Sequence, residues 1–179
     1  ERIGVWGASA GAHLALMLGL GADAPELEGE LGPHLGVSSR VAGVVSFFAP
    51  TELLAEIGQP SDIDRRSPDA PEARLVGGPL PENEARARAA SPTTYASPGD
   101  APVLSVHGTA DRTVPYDQAV RLDAALRKAG VPSYFVTIEA GGHGDFGTAA
   151  DDRVAAFFAK YLQGKPVAVS TETIHYRGR

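Results

Sequence analysis

Residues 41–48, Val-Ala-Gly-Val-Val-Ser-Phe-Phe, form a nearly unbroken apolar run that Ala49-Pro50 stops. A short run without polar alternation suits a strand buried on both faces, and such strands belong to parallel sheets covered by helices. The rest of the chain repeats this theme. Residues 2–6 are β-branched and aromatic and lead through Gly7–Gly11 into a helical segment that begins at Ala10. A third strand is predicted over 102–107. After a loop comes an amphipathic helix over 116–129, where Ala119, Val120, Leu122, Ala125 and Leu126 recur at helical spacing before Gly130 caps it. A fourth strand over 133–138 precedes a last helix over 148–162, with Val154, Phe157, Phe158 and Tyr161 on one face. Alternating strands and helices predict an α/β fold, a mostly parallel sheet with helices on both faces. Four strands are few for such a sheet, and the first is of a kind that needs neighbours on both sides, so further N-terminal strands are expected upstream of residue 1. Residues 167–174 could extend as an edge strand.

The 179 residues carry 16 Lys and Arg against 22 Asp and Glu, a net charge of −6. That balance leaves no electrostatic footprint for nucleic acid or anionic lipid. The longest apolar run, residues 14–22, is about half of the roughly 20 residues that span a bilayer, which excludes a transmembrane helix. Cysteine is absent, so disulfides, thiolate metal sites and a cysteine nucleophile are excluded. One domain over 1–164 is expected, followed by a tail over 165–179. Residues 56–99 are rich in Pro, Gly, Asp and Arg, with short helical candidates at 51–57 and 82–90, and read as an elaborated connection rather than a second domain.

Gly7-Ala8-Ser9-Ala10-Gly11 fits the pattern G-x-S-x-G. The pentapeptide is a weak signal alone, but it sits between a buried-type strand and a helix, where a sharp turn holds a serine Oγ above a sheet. Both glycines are expected to be needed because a side chain there would meet the neighbouring strand or the helix. The helix from Ala10 directs its N-terminal amides at the serine, and the Ala10 N–H can stabilise an oxyanion. A serine nucleophile requires a base, and the base an orienting carboxylate, at the same edge of the sheet. Asp111 lies on a turn just past the third strand, and His143 follows the fourth within Gly141-Gly142-His143-Gly144. Rivals fit less well. Asp100 precedes its strand at the wrong edge, and Asp117 reads as first-turn charge of a helix. His107 is expected to anchor its loop by hydrogen bonds and His13 to pack beneath the turn, while His34 and His175 sit in loop and tail. The histidines lack metal-ligand spacing, and neither a phosphate loop nor a dinucleotide motif occurs, so no metal and no cofactor are expected.

Three ordered segments, residues 6–15, His107-Gly108-Thr109-Ala110-Asp111 with Val114-Pro115, and Gly142-His143, resemble bacterial α/β-hydrolase esterases, closest to the hormone-sensitive-lipase-like and feruloyl/acetylxylan-esterase-like branch. The likeness runs from Arg2 to about Leu162 and includes Ser91-Pro92. It implies the α/β-hydrolase fold, in which the chain order Ser, Asp, His is the usual one. It further implies Ser9 as nucleophile, His143 as general base and then acid, Asp111 as orienting carboxylate and Ala10 as oxyanion donor, with Ala8 and Val114 contacting substrate. Residues 56–99, with Leu75, Leu80 and Tyr95, are expected to form a wall of the substrate cleft, or else a surface loop. Two departures stand out: Ala12 replaces the branch's usual glycine, and the His-Gly-Gly oxyanion loop found upstream of the nucleophile strand has no counterpart.

The leading reading is a serine carboxylesterase acting on a small-molecule or carbohydrate-linked ester. A prolyl-oligopeptidase-type peptidase shares the same residue order. From another class, a non-catalytic α/β-hydrolase relative with a binding role would keep the fold alone.

Overall fold

The computed structural model describes residues 2–144 and 146–175. Glu1 and Asp145 of the expected domain, and residues 176–179 of the expected tail, lie outside the described residues. The elements are β1 (Gly4–Ala8), α1 (Ala10–Leu20), α2 (Pro25–Glu28), β2 (Gly43–Phe47), α3 (Pro71–Val76), α4 (Glu84–Ala89), β3 (Val103–Gly108), α5 (Asp117–Ala129), β4 (Ser133–Glu139), α6 (Thr148–Tyr161) and β5 (Ile174–His175). Turns of 3₁₀ helix occur at Leu53–Glu56, Leu80–Glu82 and Pro92–Thr94. The strands form one sheet in the order β1-β2-β3-β4-β5, with every neighbouring pair parallel.

Alternation along β2 and β3 divides the core. Val44 and Val103 meet Leu16 and Leu20 of α1 and Leu122 and Leu126 of α5 on one face. On the other, Val45, Phe47, Leu104 and Val106 join Val136 and Ile138 of β4 beneath Val154 and Phe157 of α6. Helices thus cover both faces, as the unbroken apolar strands require.

Several elements differ from the sequence reading. β1 starts two residues later and runs through Gly7 and Ala8, because these pair with Ser46 and Phe47 of β2, while Arg2 and Ile3 stay exposed. The sharp turn is therefore confined to Ser9. Of the candidate edge strand over 167–174 only Ile174 pairs, and with His175 it forms β5 beside Ile138 and Glu139. Helix α3 was not anticipated, although Pro71 at its start is an ordinary helix signal.

The segment between β2 and β3 builds a small core of its own from Leu53, Val76, Leu80 and Ala87. Its first residues are pinned by Gln118 of α5, whose buried Oε1 accepts the N–H groups of Thr51 and Glu52 at 2.8 Å each. Thr51 Oγ1 in turn donates to the Gln118 carbonyl at 2.7 Å. Among the described residues no helix is long and apolar enough to cross a membrane.

Candidate active site

In a parallel sheet the loops leaving the C-terminal strand ends gather on one edge, where side chains far apart in sequence can meet. Ser9 leaves β1 there, Asp111 follows β3 and His143 follows β4. Ser9 has φ 54° and ψ −124°, a conformation rare for a side-chain-bearing residue. Strain of this kind amounts to about 1–3 kcal/mol and persists because the surroundings impose it. Here the Ser9 N–H donates to the Phe47 carbonyl at 2.8 Å, and the Ser9 carbonyl accepts from the His13 N–H at 3.0 Å.

Of the two flanking glycines only one is sterically required. A Cβ on Gly7 would lie 2.2 Å from the Gly11 carbonyl oxygen, whereas one on Gly11 meets nothing within 4 Å. Gly7→Ala is accordingly expected to lower stability by about 3 kcal/mol, since backbone rather than a flexible side chain must give way. Gly11→Ala should leave the melting temperature unchanged or raise it slightly through helix propensity. Thermal melts of the two variants test this contrast.

His143 bridges the other two groups. Its Nδ1–H donates to Asp111 Oδ2 at 2.7 Å, and its Nε2 lies 3.0 Å from Ser9 Oγ. Because the carboxylate only accepts, the proton sits on Nδ1 and the Nε2 lone pair receives the serine hydroxyl. The ring of Phe48, itself at φ 42°, packs on the imidazole with centroids 4.4 Å apart. Close approach of the acid and base loops depends on Gly108, where a Cβ would sit 2.1 Å from the Gly141 carbonyl oxygen.

Asp111 is buried, and four donors converge on it. The N–H groups of Thr113 and Val114 reach Oδ1 at 2.8 and 2.9 Å, His143 reaches Oδ2, and His107 Nε2 lies 3.3 Å from the same oxygen. Burial pushes the carboxyl pKa up, but the bonds from His107, His143 and the two amides outweigh it and hold the group well below the usual carboxylate range. The acid is therefore ionised wherever the protein is folded near neutral pH.

The remaining expectations divide. The Ala10 N–H lies at the start of α1 beside Ser9, and Ala8 is exposed directly before it. Val114 is buried at 3% exposure, and its N–H donates to Asp111 Oδ1 while its carbonyl accepts from His107 Nε2, so it shapes the acid turn. His107 anchors its loop as expected, through Val114 O at 3.0 Å. His13 is buried, and its Nε2 donates to the Ala90 carbonyl at 2.7 Å, tying α1 to the far end of the β2–β3 segment. Asp117 opens α5 and pairs with Arg121.

An apolar cleft of about 250 Å³ adjoins Ala10, with His13 and Leu14 of α1 on one side and Leu53, Glu72 and Leu75 on the other. Of the three side chains expected in its wall, Leu75 is there, Leu80 is buried in the segment's own core, and Tyr95 packs toward α1 and α5. Behind Glu72 lies a buried cluster the sequence did not signal. Arg65 Nε is 2.7 Å from Glu56 Oε2, its Nη1 is 2.5 Å from Glu72 Oε2, and its Nη2 donates to the Thr113 carbonyl. Neither carboxyl contact has hydrogen-bond alignment. Among the described residues no group of three or more His, Asp or Glu side chains could hold a metal ion.

No curated protein matches the chain. Solved structures do. A truncated carbohydrate esterase from gut microbiota superimposes with a TM-score of 0.82 at 28% identity, over 91% of this chain and 60% of its own. The bifunctional GH43-CE protein of Bacteroides eggerthii gives 0.81 at 30% identity, over 89% of this chain and 23% of its own. Esterase 2 of Thermogutta terrifontis, solved phosphonylated by sarin, gives 0.67 at 28% identity, over 93% and 59%. The chain thus spans about three-fifths or less of these relatives. A family profile, BD-FAE, matches residues 1–126, well over half of the sequence. With the parallel sheet and its C-terminal-edge site already in place, this match means that the chain has the α/β-hydrolase fold and belongs to the BD-FAE family of esterase-like proteins.

Proposed function

We propose that the protein hydrolyses carboxylic esters through an acyl-enzyme formed on Ser9. The observation that carries this reading is the unbroken hydrogen-bond chain from Asp111 through His143 to a serine held at positive φ. Ser9 Oγ attacks the ester carbonyl as its proton passes to His143 Nε2, and the Ala10 N–H stabilises the oxyanion that develops. Collapse breaks the carbon–oxygen bond, and His143 returns the proton to the departing alcohol. A water molecule then attacks the acyl-enzyme, gives a proton to Nε2, and the acid leaves as Ser9 Oγ recovers that proton. Asp111 stays ionised throughout and stabilises the imidazolium. Every step uses side chains and backbone of this chain, with no cofactor.

The cleft beside Ala10 suits an apolar group of the substrate. Likeness to a carbohydrate esterase and to a GH43-CE protein supports esters linked to carbohydrate, and likeness to an esterase that sarin phosphonylates supports a nucleophile reactive toward organophosphonates. Hydrolysis of p-nitrophenyl acetate, butyrate and octanoate, with fluorophosphonate labelling alongside, tests the reading. Ser9→Ala should cut turnover below about one-thousandth and abolish labelling. Equal labelling or equal turnover in Ser9→Ala would overturn it and leave a non-catalytic relative.

A further inference from the structure

Asp111 Oδ2 lies between two imidazoles, and the reaction proposed above uses only one. His107 is buried at the end of β3, with Nε2 3.0 Å from the Val114 carbonyl and 3.3 Å from Asp111 Oδ2. A carbonyl oxygen only accepts, so Nε2 carries the hydrogen and donates it to Val114, with Asp111 Oδ2 3.3 Å from the same nitrogen. Nδ1 is buried with no hydrogen-bond partner among the described residues. The edge-on ring of Tyr116, 5.9 Å away, holds it in place, and the Tyr116 hydroxyl is occupied by Thr137 Oγ1.

We infer that His107 is a positioning residue for the proposed ester hydrolysis: as a fixed donor beside Asp111 Oδ2, it aims that oxygen at His143 and limits how strongly the carboxylate draws the imidazole proton. The proposal rests on the reading of Ser9, His143 and Asp111 given above. Among the described residues the ionisable side chains facing Asp111 are His107 and His143, with Glu56 of the β2–β3 segment acting on it through space. Losing the His107 donor concentrates charge on Oδ2, and a more basic carboxylate holds an imidazolium more tightly. A residue that only pinned the loop would slow turnover without moving the pH dependence.

His107→Leu and His107→Gln separate these roles, because the glutamine amide can place an N–H near the position of the imidazole Nε2. In His107→Leu the acid limb of the kcat/KM profile should move to higher pH by on the order of half a unit to one unit. In His107→Gln it should return toward the original position. An unmoved limb in the leucine variant, with turnover merely reduced, overturns the proposal. So does a glutamine variant that shifts as far as leucine. Nitrogen-15 NMR of the histidine rings in the unmodified protein gives a test that survives misfolding of either variant and needs no turnover. His107 should show a protonated Nε2 and a bare Nδ1 at neutral pH, as its contact with the Val114 carbonyl requires. A His107 that carries its proton on Nδ1 instead overturns the proposal. Loss of Ser9-dependent turnover and labelling would instead sink the esterase reading while leaving the NMR result standing.

Discussion

Asp111→Asn should lower ester turnover by about four orders of magnitude while the protein still folds. The carboxylate receives hydrogen bonds and makes none, with the Thr113 and Val114 amides on Oδ1 and the His143 and His107 rings on Oδ2. An asparagine can present its single oxygen to one pair only. If the oxygen stays with the two amides, the NH₂ group faces His143 Nδ1 and requires a lone pair there. The ring then carries its proton on Nε2, pointing at Ser9 Oγ, and can no longer accept the serine proton. The imidazolium also loses its counter-charge. Single-turnover rates with a p-nitrophenyl ester, set beside the melting temperature, test this, and unchanged turnover in a folded variant would move the acid's role to another carboxylate. Acid should act through the same group. The folded pKa of Asp111 lies below its unfolded value, so its contribution to stability is complete above the usual carboxylate range and is lost as pH falls beneath it.

Arg65→Met should give the largest loss of stability, about 3–5 kcal/mol, because it removes the only cation from a buried cluster that contains two carboxyl groups. For a chain of this length that corresponds to a fall in Tm of roughly 10 °C. The loss should reach the active site as well, since Arg65 joins the 3₁₀ turn that carries Glu56, the helix that carries Glu72 in the cleft wall, and the Thr113 carbonyl in the acid turn. A variant that melts within about 1 °C of the original would show that the cluster contributes nothing. The two carboxyls are not equivalent. Burial outweighs the pull of Arg65 and pushes Glu56 up to about 8, so near neutral pH it carries a proton and the remaining pair is Arg65 with Glu72. In that window the folded state binds a proton that the unfolded state has released. The contribution of Glu56 is therefore complete below the ordinary carboxylate range and fades as pH rises toward 8. Glu56→Gln, which mimics the protonated acid, should melt above the original protein at pH 7 and flatten the decline of Tm between about pH 5 and pH 8, whereas a fall as large as that of Arg65→Met would mean that Glu56 is ionised.

The elements legible in the sequence are those with local causes. The strand over 41–48, the helix over 116–129 ended by Gly130, and the last helix each carry their own pattern of burial, so they appear within a few residues of where the pattern puts them. β1 slipped by two residues because its limits come from pairing with β2 and not from its own composition. Helix α3 and the 3₁₀ turns of the β2–β3 segment are too short for periodicity to register. The same division runs through the site. Ser9, Asp111 and His143 stand at motif positions with glycines or a strand end beside them. Phe48, Gln118 and Arg65 carry no such mark, since each works through a partner far away in sequence.

The sequence by itself determined that the chain alternates buried strands with helices, and it placed a serine, an acid and a histidine in loops that leave the same ends of parallel strands. Residue type and spacing suffice for that, because turn chemistry and burial periodicity act over a few neighbours. Only the tertiary structure decided that His143 lies 2.7 Å from Asp111 and 3.0 Å from Ser9, that a second imidazole shares the acid, and that Leu75 faces the cleft while Leu80 does not. Those distances depend on strand register and on packing between loops that no local pattern encodes, and a shift of one residue in any strand would turn its side chains to the opposite face.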